Sequence, residues 1–553
     1  MSESVVFLSN NYYNKIDYLH NEEGFMSNIN SRKSRKISDG KKGNIFLKYG
    51  KRFVKKLRRF WRRNVKPAIY EMREALQDGI VRAEQSYAGK ENSRTEQRAA
   101  NKRRRRKKVL QIKIASVCAA VLLITISVTV TVHKRKEERI AKEKAAIEKV
   151  IKKADRQAAM YDYDQAMRII QDYGAETYEG GYEEKQELAE AMTRYETEKA
   201  SCEPYPIDQI THIFFHVMIQ SPKEAFGPNS QMPVGLNQYM ATMDELDKVI
   251  NSMYERGYVL VSLSDVAPAV TDEEGNTTFT EGEIMLPPGK KAFVLSQDDV
   301  CYYHSYEHSG MAEKLVIDDN GDVKTQYTDA EGNTEIGVHD MVPYIDEFVD
   351  EHSDFSYRGA KGILALTGYN GILGYRTDLP YKETKDRDRH QQKWLDEHPD
   401  FDYEKECEEA KKVAEALKAD GWEFASHSWG HMWQTSISDE AFDIDAKKWM
   451  ERVAPLIGGT NIWVYSNGED VDSPGYEHRF ETLKNYGFQY FCPVNSHQYS
   501  TEIKEEYVKQ GRRNVDGYRM YYDMINDNID RLSDLFDVEE VFDTNRPTPV
   551  PQI

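Results

Sequence analysis

From about Cys202 onward, short apolar runs alternate with stretches in which apolar positions recur at helical spacing. ITHIFFHVMI (210–219) reads as a buried strand, MATMDELDKVINSMYERGY (240–258) as a helix stopped by Gly257, and VLVSLSDV (259–266) as the next strand. KKAFVLSQDD (290–299), KGILALTGY (361–369), WEFASHS (422–428) and FQYFCPV (488–494) continue the strands, and KECEEAKKVAEALKADG (405–421) is an intervening helix that Gly421 ends. Strands alternating with helices predict an α/β domain over 202–553, with a mainly parallel sheet or barrel and functional residues at the strands' C-terminal ends. Residues 304–360 interrupt the series. Within them, 314–337 predicts a β-hairpin insertion with turns at Asn320–Gly321 and Gly332–Asn333.

Upstream the pattern is different. Residues 134–200 are dominated by Ala, Glu, Lys and Gln, with two helical patterns broken near Gly174 and Gly180–Gly181, which predicts a helical stalk over 133–201. Ile114 to Val132 is 19 residues without a charge, just long enough to cross a hydrocarbon core of about 30 Å. A transmembrane helix is expected there, and not a cleaved signal peptide, since the run begins more than a hundred residues into the chain. In 46–63, Phe46, Tyr49, Phe53, Val54, Leu57, Phe60 and Trp61 fall within an arc of about 140° of a helical projection, opposite a face of Lys and Arg. That pattern predicts a helix lying in an anionic membrane interface, ended or kinked by Pro67. Residues 1–43 are polar and show no sustained period.

Charge sharpens this division. The net charge of −18 over 553 residues hides two opposite parts: residues 1–113 carry 30 Lys+Arg against 11 Asp+Glu, and the remainder 45 against 82. The run KRRRRKK (102–108) abuts the apolar segment, and this basic excess places the N-terminus in the cytoplasm and the C-terminal domain outside, as a single-pass protein of the cell membrane. A nucleic-acid partner is not expected, because tethering beside a membrane already accounts for the bases. The five cysteines include no CxxC pair, which excludes a zinc ribbon. An oxidising exterior permits a disulfide between Cys301 and Cys492, although four ectodomain cysteines leave three pairings open.

The candidate chemistry sits at strand ends. Asp298 and Asp299 close one apolar strand, and His427 and His431 follow another as H-S-W-G-H. Histidines four apart share one face of a helical turn, so both can reach one metal ion. A carboxylate added to them makes a three-ligand site with positions left open, the catalytic arrangement. The second carboxylate is then free to act as a base toward water. His212 and His216 repeat the spacing within a strand, where they lie about 13 Å apart, and so read as packed side chains.

In this order and on these elements, the motifs resemble the polysaccharide deacetylase family, the NodB-homology domain, over roughly 205–545. SQDDV (296–300) stands where the family has TFDDG, AKKVAEALKADGWEFASHSWGH (410–431) resembles its helix, glycine stop and H-[ST]-x-x-H strand end, and VYSNGED (464–470) resembles its groove motif. The resemblance implies an irregular (β/α) barrel, with Asp298 as general base and Asp299, His427 and His431 holding a divalent metal, zinc being the expected ion. Tyr465 and nearby amides would bind substrate, and Tyr302, Tyr303, Tyr369 and Tyr375 suit sugar rings. The implied reaction removes N-acetyl groups from an amino-sugar polymer such as peptidoglycan; a sugar-binding domain without turnover and an O-acetyl esterase are the alternatives. Three departures stand out. Gln297 and Val300 replace the family's Phe and Gly, no arginine precedes the groove motif near Trp463, and no late Leu-x-x-His supplies a general acid. His478 and His497 are the remaining downstream histidines, and Asp516 or Arg513 could support the site.

Overall fold

The computed structural model describes residues 93–553 other than 274, 276, 527 and 528, together with positions 59, 62, 63, 67, 70, 71 and 74. The polar stretch 1–43 and the expected interfacial helix at 46–63, apart from Arg59, Arg62 and Arg63, therefore lie outside the described residues. Two compact units divide at Lys142/Glu143.

In the first unit the described chain is helical. Helix α1 (Ser93–Ala159) begins there and carries the apolar run, whose Val121, Leu122, Leu123 and Ile126 side chains are exposed. The helix is long and apolar enough to cross a membrane.

The second unit starts with the end of α1, followed by α2 (Tyr163–Thr177) and α3 (Gln186–Ser201). These helices bury Ile147, Ala154, Ile170, Leu188, Met192 and Tyr195 in one core with Ile207, Ile210 and the sheet residues Val259, Val294, Ala365 and Ala425. Residues 143–201, expected as part of a stalk, are helical and belong to this same compact unit.

Its centre is one curled sheet of ten strands: β1 (Thr211–Phe215), β2 (Tyr258–Leu260), β3 (Lys291–Gln297), β4 (Gly362–Leu366), β5 (Trp422–Ser426), β6 (Ile462–Val464), β7 (Tyr490–Cys492), β8 (Thr501–Ile503), β9 (Val508–Gln510) and β10 (Arg513–Asn514). The order is β8-β9-β7-β6-β5-β4-β3-β1-β10, with β2 also on β3, and every pairing is parallel except β8 with β9. The sheet curls into a half-barrel because residues 508–514 pair first with β7 and then with β1. β1 and the residues of β3 after Lys291 are buried on both faces, which is why they read as unbroken apolar runs.

Helices α4 (Met243–Glu255), α5 (Met341–Glu351), α6 (Tyr403–Ala419), α7 (Asp439–Arg452) and α8 (Glu477–Asn485) connect the strands, and α9 (Gly517–Ile525) follows the last of them. α4 opens with a capping box between Thr242 and Glu245, and Gly257 leaves it at φ 80°. VLVSLSDV is a strand only to Leu260, because Ser262 caps a short helix over Leu263–Val266. The insertion has one strand more than expected: Lys314–Ile317, Val323–Thr328 and Thr334–Gly337 form an antiparallel meander whose turns hold Gly321 and Gly332 at positive φ.

Candidate metal centre

β3 ends at Gln297, and the chain then leaves strand geometry. The Asp298 amide donates to the Phe215 carbonyl at 2.8 Å, continuing the β1 pairing by one bond, but Asp299 turns to φ 61°. A regular strand would point adjacent side chains to opposite faces; the left-handed turn instead brings both carboxylates to one site.

β5 ends at Ser426, and the His427 amide is held by the Leu366 carbonyl at 2.9 Å. The two histidines then meet by a route other than the expected helical turn. Residues 427–431 form an irregular loop with Ser428 at φ 60° and His431 at φ 52°. Asp445 of α7 shapes it by accepting the Trp429 and Gly430 amides at 2.9 and 2.8 Å. The imidazole rings end 5.0 Å apart.

Asp299, His427 and His431 present ligand atoms that all lie within 4.8 Å of one another. Asp299 Oδ1 is 4.0 Å from His427 Nε2 and 3.9 Å from His431 Nε2. His427 Nδ1 lies 2.9 Å from the Val464 carbonyl, which can only accept, so Nδ1 carries the proton and Nε2 presents its lone pair toward the cluster. Burial is the main influence on His427 and pushes its pKa down to about 4 against the pull of Asp298, so the neutral, ligating imidazole is the form present near neutrality. Two imidazole nitrogens and a carboxylate oxygen are the donor set of a catalytic divalent ion, so these residues could hold a metal.

Asp298 stands beside this trio with a different partner. Its Oδ2 is 3.8 Å from His427 Nε2, while Oδ1 accepts from Arg512 Nη1 at 2.7 Å. Burial alone would raise the Asp298 carboxyl, but Arg512, His427 and His216 outweigh it and hold the group at about 2. Arg512 is itself fully buried, with Nε on the Cys492 carbonyl, Nη1 also 3.3 Å from Ser296 Oγ, and its guanidinium 4.2 Å above the Phe214 ring. His212 completes this layer through a 2.9 Å contact with Ser296 Oγ.

Other expected residues fall elsewhere. The Tyr465 side chain is fully buried and stacked on Phe491; its hydroxyl has no hydrogen-bond partner and its amide donates to the Cys492 carbonyl. Tyr302 and Tyr375 are core residues, Tyr302 donating to Asp340. Tyr303 is buried too, but its hydroxyl lies 2.6 Å from Asp299 Oδ1, and half-buried Tyr369 stacks on its ring. Arg513 pairs with Asp534, away from the cluster. Exposed His478 pairs with Asp443, and His497 lies in an exposed loop. All five cysteines are free thiols, so the permitted Cys301–Cys492 disulfide is not formed; Cys301 Sγ donates instead to the Thr367 carbonyl. The sequence does not single out Arg512 or Asp445, and Tyr303, expected against sugar rings, instead donates its hydroxyl to Asp299. For Arg512 the signal was a pair of adjacent arginines in QGRRNV, of which only the strand neighbours select one.

No protein-family model matches the chain, and no curated protein matches it. Streptococcus pyogenes deacetylase PplD in complex with acetate aligns at 11% identity, over 57% of this chain and 94% of that one, with a TM-score of 0.28.

Proposed function

We propose that this protein is a membrane-anchored, zinc-dependent deacetylase that removes N-acetyl groups from a cell-surface glycan such as peptidoglycan. The observation that carries the proposal is the division of labour at the strand ends. Asp299, His427 and His431 bring possible ligand atoms within 4.8 Å of one another, while Asp298 keeps Oδ1 on Arg512 and turns Oδ2 to within 3.8 Å of His427 Nε2, beside the cluster. A divalent ion bound there would supply positive charge to polarise the acetyl carbonyl and acidify the attacking water.

Asp298, held at about 2, is a weak base by itself, so its role is to accept a proton from water already made acidic. Arg512 keeps it ionised and aimed. Tyr303 donates to the Asp299 oxygen that lies nearest the imidazoles, and the Val464 carbonyl accepts from His427, so both side chains are pre-oriented. Trp433, 59% exposed and two residues beyond His431, offers a flat apolar face of the kind that sugar rings stack on.

The test is acetate release from N-acetylated oligosaccharides by the purified full-length protein, with metal content measured alongside. Asp298→Asn should keep its metal and lose about two to four orders of magnitude in rate, the usual worth of a positioned base. His427→Ala, His431→Ala and Asp299→Asn should lose metal and activity together. A metal-loaded wild-type protein that binds the oligosaccharide and releases no acetate would make it a sugar-binding module instead.

A further inference from the structure

The hydrolysis of an amide needs a proton donor for the departing nitrogen, and the motif that supplies one in the deacetylase family is missing from this chain. Strand register brings one other histidine of this chain to the rim of the site. β1 lies between β3 and β10, with Phe215 level with Gln297 on one side and Phe214 level with Asn514 on the other. The bonds at the strand ends carry the register one step further. The Asp298 amide donates to the Phe215 carbonyl, and the Val515 amide donates to the Phe214 carbonyl. His216 is thereby level with Asp298 on one side, and on the other Val515, one residue before Asp516, is level with Phe215.

The faces agree as well. Period-two alternation puts His212, Phe214 and His216 on one face of β1. The first two of these already face the site layer: His212 touches Ser296, and Phe214 lies under Arg512. His212 is buried, whereas His216, at the rim where the strand stops, is half-buried. Behind it, the buried Asp516 accepts the Arg519 amide at 2.7 Å and the Asn514 side-chain amide at 2.6 Å. The His216 ring packs edge-on against Phe214, with 5.8 Å between centroids, so it borders the layer that Arg512 covers. One imidazole thus stands at the rim between the strand that ends in Asp298 and the strand that leads to Asp516.

We propose that His216 is the general acid of this site and that Asp516 is the residue that positions it. This assignment rests on the deacetylase function proposed above. Water oxygen bonds to the acetyl carbon as its proton passes to Asp298; the C–N bond then breaks as His216 gives its proton to the nitrogen. Acetic acid and a free amine form, and the acid's remaining proton passes to the amine or to solvent as acetate leaves. His216 regains a proton and Asp298 releases one, so the site is restored with no other reactant.

The test uses the metal-loaded full-length protein and two substrates. An N-acetylated chitooligosaccharide has an amine leaving group that must be protonated, whereas 4-nitrophenyl acetate expels an anion that needs no acid. His216→Ala and His216→Gln should keep their metal and hydrolyse the aryl ester within about threefold of wild type. They should lose about 10²–10⁴-fold in acetate release from the amide. Asp516→Asn should shift the amide-to-ester ratio in the same direction by a smaller factor. Equal losses on both substrates, loss of metal from both His216 variants, or undiminished amide hydrolysis would each overturn the assignment. A wild-type protein inactive on the amide would remove the deacetylase function itself, a result visible before any variant is made.

Discussion

At Asp298–Asp299, two chemically identical neighbours take different roles because each meets a different partner. Asp299 turns to φ 61° and faces two imidazoles, whereas Asp298 gives one oxygen to a guanidinium from between β9 and β10 and turns the other toward His427. Arg512 is the more exacting member of that pair. It is fully buried with Nη2 unpartnered, so its charge is balanced chiefly by Asp298. Arg512→Ala would leave a buried carboxylate without its cation, and such a broken pair costs about 3–5 kcal/mol. Denaturant unfolding should register that loss, and Arg512→Lys should recover only part of it, because an ammonium lacks the flat fork that also reaches Ser296 and the Cys492 carbonyl. A variant unfolding at the wild-type midpoint would show that Asp298 is stabilised by something other than Arg512.

Among the elements, the loop after β5 and helix α7 act as one device. Nothing in H-S-W-G-H forms a regular turn, and two of its residues sit at positive φ. The loop holds its shape because Asp445 ties down consecutive amides at Trp429 and Gly430, just before His431. Asp445→Ala should therefore leave all three ligands present but poorly aligned, weakening metal affinity by about 10–100-fold, the range seen when outer partners of ligands are removed. Competition with a chelator measures this directly. An unchanged affinity would mean that β5 alone positions His431.

For the molecule as a whole, the organising feature is the opposition between a basic first part and an acidic remainder on either side of one long apolar helix. On the proposed topology the basic part stays in the cytoplasm. Protease added to intact cells should then remove the C-terminal domain and spare residues 1–113. Protection of the region around His427 in intact cells would reverse the orientation.

Periodicity is a local property, and it made the strand and helix series of the α/β domain, the apolar segment and the DD and HxxxH motifs legible from the chain alone. The departure of Asp298–Asp299 from strand geometry was also foreseeable, since both side chains can serve one site only if the backbone turns there. Other features depended on residues brought together from distant parts of the chain. The packing of 143–201 with the sheet, the irregular path between His427 and His431, and the choice of Arg512 over Arg513 as the partner of Asp298 are all of this kind. So is the setting of His216, which read as a packed strand residue. In the fold, β1 carries it between one strand ending in Asp298 and another leading to Asp516. Local spacing sets which side chains share a face; only the order and register of the strands decides what that face meets.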